Sequence, residues 1–293
     1  MGSVVRPPRR PEPPVAPVLR TRSGPLSLDR VALVGILNAT PDSFSDGGVH
    51  LDPARAAETA LAMAAAGAGM LDLGAESTRP GAAPVPGPEE RRRLLPVLRA
   101  VRTAVRLPIS VDTTKADVAA AALDAGADVV NDVSAGRWDT DMLPLCARER
   151  VPVVLMHMRG TPATMQRDPR YTDVVTEVRD FLAARAAAAR AAGIPADAIV
   201  VDPGIGFGKT VAHNCRLLRR LDLLAALGYP VLVGVSRKGF IGELAGGRAS
   251  GERLHGTAAA VALAVAGGAR LVRVHDVAAM RDVVRVAEAV AGA

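Results

Sequence analysis

The chain has 293 residues, 49% hydrophobic and 23% charged, which implies a soluble globular body with a sizeable core. No run reaches the roughly 18 to 20 uncharged apolar residues of a membrane span. The two cysteines, Cys146 and Cys215, fit neither a disulfide framework nor a zinc site, so a reducing cytosol is expected. The net charge of +6 suggests nucleic acid, but Arg6, Arg9, Arg10, Arg20 and Arg22 against Glu12 place +4 of it in residues 1–28. With only 2% aromatic residues there is no stacking platform for bases, and nucleic-acid binding is not expected.

Residues 1–28 are rich in Pro and Arg, with no periodicity and no signal-peptide core. They read as a disordered tail before a folded domain over 29–293. In that body, short Val/Ile/Leu runs alternate with Ala-rich amphipathic segments. Run 31–37 ends in Asn38 and precedes a helix at 53–66; run 70–74 leads into Glu76-Ser77-Thr78-Arg79 and a helix at 89–106. Run 109–111 leads into Asp112-Thr113 and a helix at 115–125, and run 129–131 ends in Asn131-Asp132. Run 153–157 ends in His157 before a helix at 172–192, and run 199–201 ends in Asp202 before one at 214–227. Run 231–235 leads into Ser236-Arg237-Lys238 and a helix at 256–266; run 271–275 carries Arg273 and His275 before a last helix at 277–291.

Fully apolar strands alternating with helices indicate a parallel sheet covered by helices. Eight such units of one composition fit a (β/α)8 TIM barrel, with a doubly wound open sheet as the alternative. In a barrel, function gathers where strands end and βα loops begin, and all eight runs carry polar residues there.

The loop Asp202-Pro203-Gly204-Ile205-Gly206-Phe207-Gly208-Lys209-Thr210 resembles a phosphate-binding P-loop in its Gly-Lys-Thr ending. The spacing requires a glycine at position 203, where Pro203 has no N–H to offer. A tight βα turn explains Gly204 and Gly206 but neither Asp202 nor Phe207. An Asp at a strand end can accept two hydrogen bonds from a planar, guanidine-like ring edge, and a Phe on a glycine loop can pack on a flat ligand. Arg79, Arg237, Lys238, Arg273 and His275 approach the same face and suit an anion such as pyrophosphate. Asp112, Asn131 and Asp202 are short polar groups at the barrel mouth, with Lys238 available as a partner for buried carboxylates. The long polar loop with Phe44 and Asp46 has the character of a lid. No His/Cys/Glu spacing suggests a tight metal site. Lys209 has no role that its position explains.

The motifs NATPDSFSDGG, ESTRPG, SVDT, NDVSAG, LMHM, DPGIGFGKT, GVSRKGF and RVHDV occur in the order of the dihydropteroate synthase family, which the chain resembles over about residues 31–291. Only Ala39 and Ala75 stand where Val and Gly are common, and neither supplies functional atoms. The resemblance implies a homodimeric TIM-barrel transferase of folate biosynthesis. It would join 6-hydroxymethyl-7,8-dihydropterin diphosphate to p-aminobenzoate and release pyrophosphate by an SN1-like course. It also implies that Asp112, Asn131, Asp202 and Lys238 hold the pterin, with Arg273 over its face and Met156 lining the pocket. Asn38, Arg273 and His275 would take the diphosphate, with Thr78 and Val274 beside it, and Asn38 would touch Mg²⁺. Thr78, Arg79, Pro80, Phe207, Ser236 and Lys238 would form the p-aminobenzoate side, where sulfonamides compete. Asp112, Lys238, Arg273, His275, Asp46 and Phe44 are the expected catalytic group. A pterin-dependent methyltransferase of the same barrel group would have no use for STRPG, SRKGF or RVH. A non-catalytic pterin-binding paralogue would be expected to have lost Arg79, Phe207, Lys238 or His275.

Overall fold

The computed structural model describes residues 18–39 and 52–292. An antiparallel hairpin of β1 (Val18–Thr21) and β2 (Gly24–Ser27) comes first. The alternating series then runs β3 (Ala32–Asn38), α1 (Pro53–Ala65), β4 (Met70–Gly74), α2 (Gly87–Ala104), β5 (Ile109–Asp112), α3 (Ala116–Asp124), β6 (Val129–Asp132) and α4 (Met142–Glu149). It continues with β7 (Val153–Met156), α5 (Val174–Ala191), β8 (Ile199–Asp202), α6 (Val211–Arg219) and α7 (Asp222–Ala225). It closes with β9 (Leu232–Gly234), α8 (Gly239–Leu244), α9 (Leu254–Ala266), β10 (Leu271–Val274) and α10 (Val277–Gly292).

Strands β3 to β10 are parallel, in the order β8-β7-β6-β5-β4-β3-β10-β9. A parallel bridge between Val201 and Val231 joins the two edges, giving the expected (β/α)8 barrel rather than an open sheet. Side-chain alternation sorts each strand into two faces. Val34, Met70, Val129, Val154, Val200 and Leu271 fill the lower interior. Their neighbours in the chain, such as Leu33, Leu71, Val130, Val153, Val201 and Val272, pack outward on the helices. Two residues farther along each strand, the same alternation turns Asp72, Asn131, Met156, Asp202 and Arg273 inward, with Asp112 beside them.

The hairpin departs from the expected tail, which extended to residue 28; residues 1–17 of that tail lie outside the described residues. Val18 pairs with Ser27 and Thr21 with Gly24, and the Thr21 hydroxyl donates to the Gly24 carbonyl at 2.6 Å. Leu19 and Leu28, 1% and 2% exposed, cover the apolar hole left at the N-terminal end of the barrel. Asp128 anchors the turn by accepting from the Ser23 N–H at 2.6 Å and the Ser23 hydroxyl at 3.0 Å. Burial of two leucines on the barrel floor outweighs the local signal of Pro and Arg.

Three helices also differ from expectation. The single helix expected at 214–227 is two, α6 and α7, because Arg220 leaves helical geometry at φ −117°, ψ 33°. α4 and α8 are 8 and 6 residues long, too short for their apolar faces to declare a period. Among the described residues no helix is long and apolar enough to cross a membrane.

If the hairpin is part of the cooperative core, Leu19→Ala should cost about 2 to 5 kcal/mol, as for other buried leucines. Urea denaturation followed by circular dichroism checks this, and an unchanged midpoint would mean that the hairpin only rests on the barrel.

Candidate active site

The floor of the mouth is a buried ionic network. Asp72, 1% exposed, accepts from Arg273 Nε at 2.5 Å and the Ser110 hydroxyl at 2.5 Å. It also faces the Asn131 amide, whose Nδ2 lies 3.3 Å from Oδ2. The Arg273 guanidinium reaches Asp112 Oδ2 at 3.2 Å with a second nitrogen. Arg273, rather than the expected Lys238, therefore makes the direct ion pair with the buried carboxylates. Burial, reinforced by the Asp72 charge, raises the Asp112 carboxyl to about 7 against the pull of Arg273. Arg273 is half-buried, but the two carboxylates outweigh the desolvation and hold it firmly protonated.

Asp72 is the residue that sequence reasoning passed over. Its signal was present: a lone carboxylate inside the apolar run Met70-Leu71-Asp72-Leu73-Gly74. A buried charge needs a partner, and the partner here lies 201 residues away. Strand register puts Asn38 beside Gly74, Gly74 beside Asp112 and Asp112 beside Asn131, so the expected polar groups share one level. Gly74 adds no side chain between Asn38 and Asp112, where a Cβ would come within 3.3 Å of the Asp112 Cβ.

The rim comes from β8, β9 and β10. Phe207 packs with Val133, Met156, Met158 and Met165, and Lys238 Nζ stands 3.9 Å from the centre of its ring. Burial lowers Lys238 to about 8, with Arg273 acting in the same direction and Asp202 opposing it. The Ser236 hydroxyl lies 2.9 Å from His275 Nδ1 and accepts the His275 backbone N–H at 3.2 Å. Burial, with Arg273 and Arg237 nearby, lowers His275 to about 4, so the ring is neutral near pH 7.

Two expected members are not at the mouth. Arg237 takes φ +57°, turns away from Lys238 and pairs with both oxygens of Asp276 at 2.5 and 3.0 Å. That pairing, with the Arg237 N–H on the Thr257 hydroxyl at 3.1 Å, offsets the about 1 to 2 kcal/mol cost of a left-handed non-glycine residue. The Val274 side chain belongs to the outer core against the helices, because it alternates with inward-facing Arg273 and His275.

The glycine loop after β8 is not a phosphate cradle. A Cβ on Gly204 would stand 2.0 Å from the His157 carbonyl oxygen, and one on Gly208 2.4 Å from that of Arg159. Both have positive φ, +65° and +64°, so the glycines permit close stacking of this loop on the one after β7. Asp202 accepts the Gly204 N–H at 2.6 Å.

The loop after β4 is braced from outside. Lys115 donates to Glu76 and to fully buried Glu90, both at 2.6 Å, and Glu76 also accepts the Val85 N–H at 2.8 Å. Thr78 is half-buried, Arg79 and Pro80 are exposed, and the Gly81 N–H reaches the Pro162 carbonyl at 2.9 Å. Phe44 and Asp46 lie outside the described residues.

Burial raises Asp202 from 3.8 to about 6, against the Gly204 N–H and Lys238, which favour its anion. The folded protein therefore keeps a proton that the unfolded chain has already released. The associated stability is present below the unfolded value and is lost as pH rises through the folded one. Asp202→Asn removes this titration, so the wild type should lose stability relative to the variant between about pH 4 and about pH 7. Urea midpoints of both proteins at the two pH values test this, and a constant difference would count against a perturbed Asp202.

The chain matches the family of pterin binding enzymes over residues 34–275. It is 47% identical over 260 residues to the dihydropteroate synthase of Synechocystis sp., covering 89% of this chain and 90% of that one. Xanthomonas albilineans dihydropteroate synthase, solved with 4-aminobenzoic acid, is similar with a TM-score of 0.88 and 48% identity, covering 95% of this chain and 100% of that one. The Thermus thermophilus enzyme in complex with 6HMPPP is similar with a TM-score of 0.81 and 50% identity, covering 93% of this chain and 99% of that one. With a match across the whole barrel and relatives this similar over nearly their full length, the chain belongs to the pterin-binding enzymes and, among them, to the dihydropteroate synthases.

Proposed function

We infer that this chain condenses 6-hydroxymethyl-7,8-dihydropterin diphosphate with p-aminobenzoate, giving 7,8-dihydropteroate and pyrophosphate. The observation that carries the reading is the meeting of three chemistries at one barrel mouth. These are a floor of Asp112, Asn131 and Asp202, the cationic Arg273 and Lys238 beside it, and the Phe207 ring at the rim.

Asp112, Asn131 and Asp202 take the donor-rich edge of the pterin, and Met156 lines its pocket. Arg273, fixed from below by Asp72 and Asp112, lies against the ring and the bridging oxygen. Asn38 and His275 take the diphosphate. In the tautomer in which the Ser236 hydroxyl donates to Nδ1, the His275 proton sits on Nε2 and is available to a phosphate oxygen. The bond between the pterin methylene and the diphosphate oxygen breaks, and its electron pair leaves on oxygen. The cation left on the dihydropterin is delocalised, and the Asp112 carboxylate stabilises it electrostatically. The lone pair of the aryl amine then forms the carbon–nitrogen bond, and the amine proton passes to solvent. Thr78, Arg79, Pro80, Phe207, Ser236 and Lys238 hold p-aminobenzoate, whose carboxylate needs a cation and whose ring needs a flat apolar wall.

Asn38 suits Mg²⁺ that arrives with a diphosphate. Among the described residues no group of three or more His, Cys, Asp or Glu could hold an ion. A single amide oxygen at the end of β3 matches an ion that brings most of its ligands from phosphate and water. When bound, Mg²⁺ neutralises charge on the leaving group.

A second copy of the chain is the partner proposed for α9 and α10. α9 carries no charged residue, and Leu254 and Leu263 on it and Val286 and Val290 on α10 are exposed. A helix apolar on its outer face as well as its inner one belongs in an interface. The unpaired thiols of Cys146 and Cys215 suit the cytosol.

Purified protein should release pyrophosphate only when both substrates and Mg²⁺ are supplied. Binding of the pterin diphosphate without release on addition of p-aminobenzoate would sink the reading in favour of a non-catalytic pterin-binding protein. Sedimentation should give a dimer that Leu263→Glu converts to monomer, and a monomeric wild type would refute the proposed interface.

A further inference from the structure

The reaction proposed above leaves one residue of the glycine loop without a task. Lys209 is 3% exposed and lies beneath the loop rather than at the mouth. Its Nζ stands 2.9 Å from the Gly204 carbonyl oxygen, 3.0 Å from that of Phe207 and 2.9 Å from His157 Nδ1, with the His157 carbonyl at 3.4 Å. Burial lowers Lys209 to about 7, with Asp202 opposing it; as an ammonium it has three protons, and these acceptors engage all of them. No proton is left for a substrate, so Lys209 is not a further phosphate or carboxylate ligand.

The acceptors belong to two βα loops. His157 directly follows β7 and is itself held, its ring edge-on to Phe181 at 4.8 Å between centroids. Burial, with Lys209 adding to it, lowers His157 to about 2, so the ring is neutral and Nδ1 can accept. The neighbouring carbonyls of the glycine loop are also taken. Gln166 Nε2 donates to Gly206 at 2.7 Å and the Tyr171 hydroxyl to Gly208 at 2.8 Å. The Gly206 N–H donates to Asn214 Oδ1 at 2.8 Å. The carbonyls of the turn are thus held one after another, and the Phe207 ring between them packs against Lys238.

We propose that Lys209 is a positioning residue for the p-aminobenzoate side of the site: by tying the carbonyls of Gly204 and Phe207 to His157, it holds the Phe207 ring at the wall against which the aryl amine docks. The proposal rests on the dihydropteroate synthase reading of the mouth. Most of the pterin floor is anchored elsewhere: Asp112 and Asn131 stand on β5 and β6 and are held by Arg273 and Asp72, while Asp202 alone touches the glycine loop, through the Gly204 N–H. Loss of Lys209 should therefore weaken p-aminobenzoate much more than the pterin.

The test is a double-mutant cycle in the full-length protein with Lys209→Met, Phe207→Ala and the double variant. Steady-state kinetics are measured against each substrate, and pterin diphosphate binding to free enzyme is measured by calorimetry. In Lys209→Met the KM for p-aminobenzoate should rise about tenfold or more, kcat should fall less, and the pterin diphosphate Kd should stay within about threefold, since neighbouring residues that act as a unit couple strongly. The double variant should have the p-aminobenzoate KM of Phe207→Ala alone. Additive effects, an unchanged KM or a parallel loss of pterin binding would each overturn the proposal. If Lys209→Met does not fold, Lys209→Gln, which keeps two N–H donors, takes its place in the cycle. Failure of both to fold would assign the lysine to stability alone and also overturn it. A wild type that makes no pyrophosphate overturns the reading of the reaction instead, so the two failures are distinguishable.

Discussion

The contact on which the mouth of the barrel depends is the Arg273 guanidinium between the carboxylates of Asp72 and Asp112. A guanidinium and two carboxyls are placed inside a closed ring of strands, where water screens poorly and each charge is costly unless paired. Removing one partner of such a buried set leaves an uncompensated charge, a loss of about 3 to 5 kcal/mol in comparable cases. The network therefore constrains its neighbours. It orients Asn131 through Asp72, sets the protonation of Asp112, and directs Arg273 across the mouth from a rigid strand rather than a loop.

Around that floor the protein uses a different kind of support. The rim groups, Phe207, Lys238, Ser236 and His275, lie at or just beyond the ends of strands, and backbone contacts hold them. Gly204 and Gly208 let the loop after β8 lie flat on the carbonyls after β7, at distances no side chain would permit. Arg237 accepts a left-handed backbone so that Ser236 and Lys238 can face inward while its own charge goes to Asp276. The loop after β4 is steadied from behind, by Lys115 acting on Glu76 and Glu90. Floor and rim thus differ in mechanical origin, which suits a site that must hold one flat ligand and admit a second.

Much of this was legible in the chain. Alternating apolar runs announce a parallel barrel because strands covered on both sides must be apolar throughout. The polar residues that end each run then point to one face. Where the reading failed, a long-range contact overrode a local signal. Pro25 and two arginines make residues 18–28 resemble a tail, yet Leu19 and Leu28 find an apolar hole that only the closed barrel creates. Asp72 is conspicuous as a charge in a buried run, but its partner could not be named without knowing that β4 and β10 face each other across the interior. Val274 differs for the opposite reason: it borders two mouth residues in sequence, and strand alternation sends its side chain to the other face.

What the sequence determined by itself was the architecture, the end of the barrel that does the work and the residue types assembled there. These follow from local periodicity and from motif order, which survive without coordinates. Only the tertiary structure decided which charges pair, which cation is diverted to the surface and what the lysine of the glycine loop holds. Ion pairing and close backbone packing depend on distances of a few ångströms between distant segments, such as the 201 residues separating Asp72 from Arg273. Local sequence carries no measure of that distance, because it is the closing of the barrel that sets it.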